Sequence, residues 1–450
     1  MTPAGLAESS HTVVRPIPTL SEDIVAQVCD EIFATPIYQY DLSLPCWLRS
    51  QWLDDVRFRK GIPLVSKLWW KPATRGLYEH VIIRQVDQIP PLVRTLTSKD
   101  AGFDLGALVR RITLHWCVVY PPDSNSLGEH VRAIFERCVA LEQLSFQRHP
   151  DCEDAVSESD SLVSQRGIDI NPVWIFPQII FPVLQAQGPT MLRKLDLVSL
   201  NCGRWEEKAT TALYNLILAS PRITTLAIQN LHTPGSEPPT LEFLEELCLC
   251  LQYFTPPDPN QPSSRDVWMW GFPSLQSLAL LNGYELPTII LKTLGRTLTY
   301  LHLCYPIRCE DLRFDRLSQL CPVLEHLVFY PQQYSPEWIS GASMEPFRRL
   351  RYLDVWLQPH VYKTRWSSNT AASLVERARS GFAPALEGVR GLLVLMPLYL
   401  PSDLPGTICH PSVITRADGT RFVCVCDVPM VQTAWCVRPV ADWWLDREMW

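Results

Sequence analysis

The chain has 450 residues, 47% of them hydrophobic and 19% charged, with a formal net charge of -7. Its length implies about two to three domains; its apolar content excludes disorder along the whole chain, and its acidity argues against a polyanion such as nucleic acid as partner. With 39 prolines against 19 glycines, the chain favours stiff corners over glycine turns.

The opening stretch, MTPAGLAESSHTVVRP, lacks the charged-then-apolar order of a signal peptide. Residues 1–14 read as a flexible tail. A helix then follows Pro16-Ile17-Pro18. Thr19 or Ser21 is its N-cap, and Glu22 and Asp23 lie in the positive first turn. Leu20, Ile24, Val28 and Ile32 recur every four residues, with Val25, Cys29 and Phe33 beside them, which makes a broad apolar face. After a polar-aromatic segment, Pro36 to Lys60, comes Leu64-Val65-Ser66-Lys67-Leu68-Trp69. Pro72 should bend or end that second helix. Leu77-Tyr78 and the apolar Val81-Ile82-Ile83 close the module.

This order of residues resembles an F-box. Ile17-Pro18 stands for the family's Leu-Pro start, Leu64 to Trp69 matches its Leu-Val-Ser/Cys-Lys-x-Trp string, and Leu77-Tyr78 matches its exit into repeats. Two features depart from the family pattern: the insertion at 36–60 and Pro72. The resemblance covers about 70 residues and points to the large F-box-like families of mushroom-forming fungi. It implies docking to a Skp-family adaptor of a cullin–RING ubiquitin ligase through an apolar helix contact. The residues that carry this contact by resemblance are Pro18, Leu20, Ile24, Leu64, Val65 and Trp69. The other reading is that these side chains close a helical cap on the repeats that follow.

Those repeats show an apolar residue, two variable ones, an apolar residue, one variable, and an apolar residue. The triplets are Leu108-Ile112-Leu114 (one residue long), Leu141-Leu144-Phe146, Leu192-Leu195-Leu197 and Ile223-Leu226-Ile228. They continue as Leu275-Leu278-Leu280, Leu298-Leu301-Leu303, Leu324-Leu327-Phe329, Leu350-Leu353-Val355 and Val389-Leu392-Val394. The starts at 275, 298, 324 and 350 are 23, 26 and 26 residues apart, a spacing of leucine-rich repeats. The last two apolar positions alternate as a strand with one buried face does. Between triplets, Trp205–Ser220, Leu241–Phe254, Thr288–Leu294, Asp311–Leu320 and Asn369–Ser380 have helical spacing. Stacked strand–helix units bury what one unit cannot, and the product is a solenoid with a parallel sheet. The asparagine or cysteine usual after the triplet is missing, so the repeats are irregular; a leucine-rich α/β domain without repeats is the rival reading.

The uncharged stretch Ile170–Leu192 carries Pro172, Pro177, Pro182 and Pro189, too many for a membrane helix, and reads as buried protein. Loops 147–171 and 255–266 interrupt the repeats. Ile408–Val428 reads as a hairpin, and the last 17 residues, with four tryptophans, as a cap on the solenoid's open end or a partner-docking tail.

The expected fold is therefore α/β. A small N-terminal helical F-box-like module (15–85) precedes an irregular leucine-rich-repeat solenoid (86–400), then a C-terminal hairpin and Trp-rich tail (401–450). Fifteen cysteines without a Cys-x-x-Cys pair read as reduced core thiols of a cytoplasmic or nuclear protein. No phosphate loop, Gly-x-Ser-x-Gly elbow or His-Glu-x-x-His occurs, so neither enzyme, cofactor nor metal is expected. The expected role is a substrate receptor that binds adaptor at one end and a protein target at the other, with neither nucleic acid nor membrane as partner. The target would meet the variable strand positions, such as Arg193, Lys194, Thr224, Thr225, Gln276, Thr299, Tyr300, Glu325, His326, Arg351 and Tyr352. The alternative is a leucine-rich-repeat scaffold whose vestigial F-box binds no adaptor.

Overall fold

The structure, a computed structural model, describes residues 20–34, 51–83, 86–98, 102, 104–115, 124–147, 176–187, 191–198, 207–229, 238–251, 267–281, 283, 286–307, 312, 314–331, 346–356, 376–392, 414–415 and 421–422. Residues 1–14, Pro18, most of the two expected loops and the Trp-rich tail lie outside these.

Helix α1 (Glu22–Ala34) begins as its sequence dictates. Ser21 Oγ accepts the Ile24 N–H at 3.4 Å and its carbonyl accepts the Val25 N–H at 3.1 Å. The second half of the inserted segment is itself helical, α2 (Gln51–Gly61), and a 3-10 turn Ile62–Leu64 leads to α3 (Lys67–Glu79). Val25, Cys29, Phe33, Ile62 and Ala73 form the buried cluster of this headpiece. A Cβ on Gly76 would lie 2.5 Å from the Phe33 ring, so glycine lets α1 and α3 close on each other. Arg59 ties α2 to α1: its guanidinium lies 5.3 Å from the Phe33 ring centroid and donates to the Phe33 carbonyl at 3.3 Å. Of the two outcomes expected at Pro72, a bend or an end, α3 does not end there. Ala73 and Thr74, just beyond it, are buried, and their packing outweighs a proline cost of about 3 kcal/mol.

The α/β body is one parallel sheet of eleven strands in strict chain order, compatible with a repeat solenoid. The strands are β1 (His80–Ile83), β2 (Arg111–His115), β3 (Gln143–Gln147), β4 (Lys194–Asp196), β5 (Thr225–Gln229) and β6 (Glu246–Cys250). They continue with β7 (Ser277–Leu281), β8 (Tyr300–Ile307), β9 (His326–Pro331), β10 (Tyr352–Trp356) and β11 (Gly388–Leu392). Register carries one apolar column through them all: Val81, Ile112, Leu144, Leu195, Leu226, Leu247, Leu278, Leu301, Leu327, Leu353 and Val389 are successive partners. Ten of these eleven side chains are buried; Val81 is partly so. Just before β3 to β11 the backbone repeats one device. The Arg193 carbonyl accepts the N–H groups of Thr224 and Thr225 at 2.8 and 3.0 Å, and Thr224 does the same for Glu245 and Glu246 at 2.9 and 3.0 Å.

Helices cover the leucine face: α4 (Ile89–Thr97), α5 (Ser124–Arg137), α6 (Phe181–Ala186), α7 (Glu207–Leu218), α8 (Thr288–Leu294) and α9 (Phe314–Leu320). Leu213, Leu216 and Ile217 of α7 and Ile290 and Leu291 of α8 join the leucine column in one core. The expected helices at 205–220, 288–294 and 311–320 thus form, and residues 376–380 of the one at 369–380 are helical. Within the proline-rich stretch, Phe176, Ile180 and Phe181 are fully buried, where a π-helical turn (Phe176–Ile180) runs on into α6 with Pro182 as its second residue. Ile414–Thr415 pairs antiparallel with Arg421–Phe422, the hairpin expected there. Cys138 and Cys321 are buried free thiols. Burial pushes both up to about 12, so they pack as small apolar side chains.

Three sequence readings are corrected. Residues 241–251 of the expected helix Leu241–Phe254 are not helical: Leu244-Leu247-Leu249 is a further triplet, and its strand β6 fills the gap between β5 and β7. Val109, not Leu108, opens the first irregular triplet; Val109 is fully buried and restores the regular spacing. At the other end Leu386-Val389 is the frame, because Val389 pairs with Leu353, three residues out of step with Val389-Leu392-Val394.

Two measurements test this architecture. Leu278→Ala lowers the urea-unfolding free energy by about 2–5 kcal/mol through a mid-column cavity, whereas Leu218→Ala, on the exposed side of α7, costs less than about 0.5 kcal/mol. The second concerns His80, which joins headpiece to sheet, with Nε2 3.0 Å from Thr113 Oγ1. Burial, then the cations Arg111 and Arg59, hold its pKa down at about 3 from an ordinary 6.5. The folded protein keeps His80 neutral while the unfolded chain protonates below 6.5. Its contribution is therefore complete above pH 6.5 and is lost as pH falls toward 3, about 2 kcal/mol by pH 5. His80→Gln flattens that part of the pH–stability curve.

Candidate functional site

Two surfaces gather the residues singled out by sequence. The first is the outer side of the headpiece. Helix α1 turns Val25, Cys29 and Phe33 inward, which leaves Leu20, Ile24 and Val28, four residues apart, on the outside. Leu20 is 52% and Ile24 49% exposed. The 3-10 turn that breaks the chain between α2 and α3 presents Leu64 and Val65 outward, 82% and 65% exposed. Four of the six expected adaptor residues are thus on the surface. Trp69 is partly buried against the headpiece cluster and belongs more to its core, while Pro18 lies outside the described residues. Sequence reasoning missed Phe58 of α2, 62% exposed, and Trp70 of α3, also exposed. Phe58 had no signal, because α2 shows no regular apolar spacing; Trp70 adjoins Trp69 and could have been assigned from the helical period.

The second surface is the face of the sheet opposite the leucines. The expected target residues fall into two adjacent columns. Arg193, Thr224, Gln276, Thr299, Glu325 and Arg351 stand at the turns before the strands, where their carbonyls hold the next rung. Thr225, Tyr300, His326 and Tyr352 open their strands on the non-leucine face, with Lys194 in register before Thr225. The character of this face changes along the sheet. Val198, Ala227, Cys248, Cys250, Ala279 and Leu281 make a small-residue apolar cluster in the middle. Toward β11 it becomes aromatic and polar.

There Tyr300, His326 and Tyr352 are register partners on β8, β9 and β10, with ring centroids 5.0 and 5.9 Å apart in edge-to-face contact. His326 Nε2 meets Asp354 Oδ2 at 2.7 Å, with Asp354 fully buried. His302 is buried on the neighbouring position of β8. Tyr352 donates to Glu387 Oε2 at 3.1 Å and Arg351 Nε donates to Oε1 at 2.7 Å, with the Arg351 guanidinium 5.3 Å from the Tyr352 ring centroid. At the opposite end Arg110 pairs with Glu142, and Arg111 with Glu79 at 3.3 Å. Tyr300, His302 and Asp354 are buried, as is Thr225, so of this array it is Arg351, Tyr352 and Glu387 that can meet a bound polypeptide. Among the described residues, no group of three or more His, Cys, Asp or Glu side chains could hold a metal ion, and no helix is long and apolar enough to cross a membrane.

No protein-family model matches the chain, and no curated protein matches it. Among solved structures, it is similar to a chain of the crystal structure of the Rad7 and Elc1 complex in yeast. The identity is 13%, the match covers 82% of this chain and 90% of that one, and the TM-score is 0.35.

The His326–Asp354 contact is testable apart from any ligand. His326→Ala removes a hydrogen bond to a buried carboxylate and lowers stability in urea by about 1–3 kcal/mol; Glu325→Ala, next to it at the turn, changes stability by less than about 0.5 kcal/mol.

Proposed function

We propose that this chain is a non-enzymatic substrate receptor. The headpiece docks a Skp-family adaptor of a cullin–RING ubiquitin ligase, and the sheet surface holds a protein target. The chain supplies proximity and orientation, with the chemistry done by its partners. It works in the cytoplasm or nucleus.

The observation that supports this reading is the exposure of Leu20, Ile24, Leu64 and Val65 on one small module. Side chains needed only to cap the repeats would be turned inward, as Val25 and Ile62 are. A single exposed leucine is ordinary, but four exposed aliphatic side chains on one small module favour an interaction surface. The partial burial of Trp69 favours the rival scaffold reading at that one position, since its ring already has a place within the headpiece.

Co-purification decides between them. The full chain retains recombinant Skp-family adaptor on a column, and Ile24→Asp with Leu64→Asp cuts the retained amount at least tenfold without moving the thermal melting temperature. A wild-type chain that retains no adaptor ends the receptor proposal in favour of the scaffold.

A further inference from the structure

Charge is segregated within the headpiece. From Val56 to Tyr78 the chain holds Arg57, Arg59, Lys60, Lys67, Lys71 and Arg75 and no carboxylate, within a protein of net charge -7. Helix α1 is the reverse, with Glu22, Asp23, Asp30 and Glu31 and no cation. Lys67, Trp70, Lys71 and Arg75 lie at three- and four-residue spacing on the exposed side of α3. Among the described residues no carboxylate pairs with Lys67, Lys71 or Arg75. Lys67 stands at the positive end of the helix, where a cation is unfavourable. A local rule broken on an exposed face, beside exposed Leu64 and Val65, is characteristic of a surface shaped by a partner rather than by folding.

We propose that the cations of α3, together with Lys60 at the end of the inserted helix α2, form a basic rim around the Leu64–Val65 apex. This rim selects a protein partner whose apolar groove is flanked by carboxylates. The inference rests on the adaptor-docking reading and adds what that reading lacks: the charge of the partner and a role for the inserted helix. An anionic bilayer or a nucleic acid fits less well. Either would meet the four carboxylates of α1 beside the exposed Leu20 and Ile24, and a uniformly negative surface is repelled there. A protein can match both signs. Charges at the rim act chiefly on the association rate and are screened by salt.

The test uses the full chain, a recombinant Skp-family adaptor, and stopped-flow association at low and high salt. Lys67→Glu, Lys71→Glu and Arg75→Glu together slow association at least tenfold at about 0.05 M salt, and the difference shrinks below about twofold at about 0.5 M. All three positions are exposed, and an unchanged circular-dichroism melt shows that the fold is intact. Equal rates for wild type and triple variant at every salt concentration overturn the basic rim while leaving adaptor docking in place. A wild type that fails to bind adaptor overturns the docking reading, and this one with it. Flotation with phosphatidylserine vesicles that is lost in the triple variant, with adaptor association unchanged, assigns the cations to a membrane and also overturns the proposal.

Discussion

The sheet depends on one geometric demand: a leucine-type side chain at the same register position of every strand. Parallel strands lie about 4.8 Å apart, so partners in register stack side chain on side chain. From Val81 to Val389 the stack is unbroken, and the helices on that side bury it. Backbone and side chains reinforce each other here. From Arg110 to Arg351, the carbonyl before each strand accepts two N–H groups at the start of the next, which fixes the register, and the register places the next leucine over the last. A slip by one residue would turn every leucine to the other face.

Since only the rung must repeat, the chain between rungs is free to vary. Triplets begin at Ile223 and Leu244, then not again until Leu275, and each still delivers its strand in order. The longer stretches between rungs follow the last residues of strands in the chain, as after Gln147 of β3 and Cys250 of β6. This explains how an irregular sequence supports a regular sheet. It also separates tasks. The leucine face is committed to the core, so the receptor role proposed above draws on the opposite face and on the headpiece.

On the headpiece, inward packing and outward display are set by the same helix. Phe33 against Gly76, and Ala73 beside Val25 and Cys29, bring α1 and α3 close together. The inward set uses one side of α1, and Leu20, Ile24 and Val28 are left on the other. Exposing them costs solvation free energy of order 1 kcal/mol or more each, a cost that folding alone does not require. On the sheet the polar cluster of Tyr300, His326, Tyr352 and Asp354 is likewise assembled from three strands, and none of its members is placed by its neighbours in sequence.

The amino-acid sequence by itself determined the rungs from Leu141 to Leu353 other than β6, the helices at 207–218 and 288–294 and the cap at Ser21, because each is a local pattern of period or spacing; the candidate docking residues of the headpiece came from a family resemblance instead. It did not determine β6, since Leu241, Leu244, Leu247 and Leu251 satisfy the helical period as well as the triplet. Pairing with Leu226 on one side and Leu278 on the other decided for a strand. The frames at Val109 and Leu386 were decided the same way, by register with the next rung. Tertiary packing also carried α3 through Pro72 and gathered Tyr300, His326 and Asp354. Such outcomes depend on the free energy of contacts between residues far apart in the chain, which local spacing does not encode.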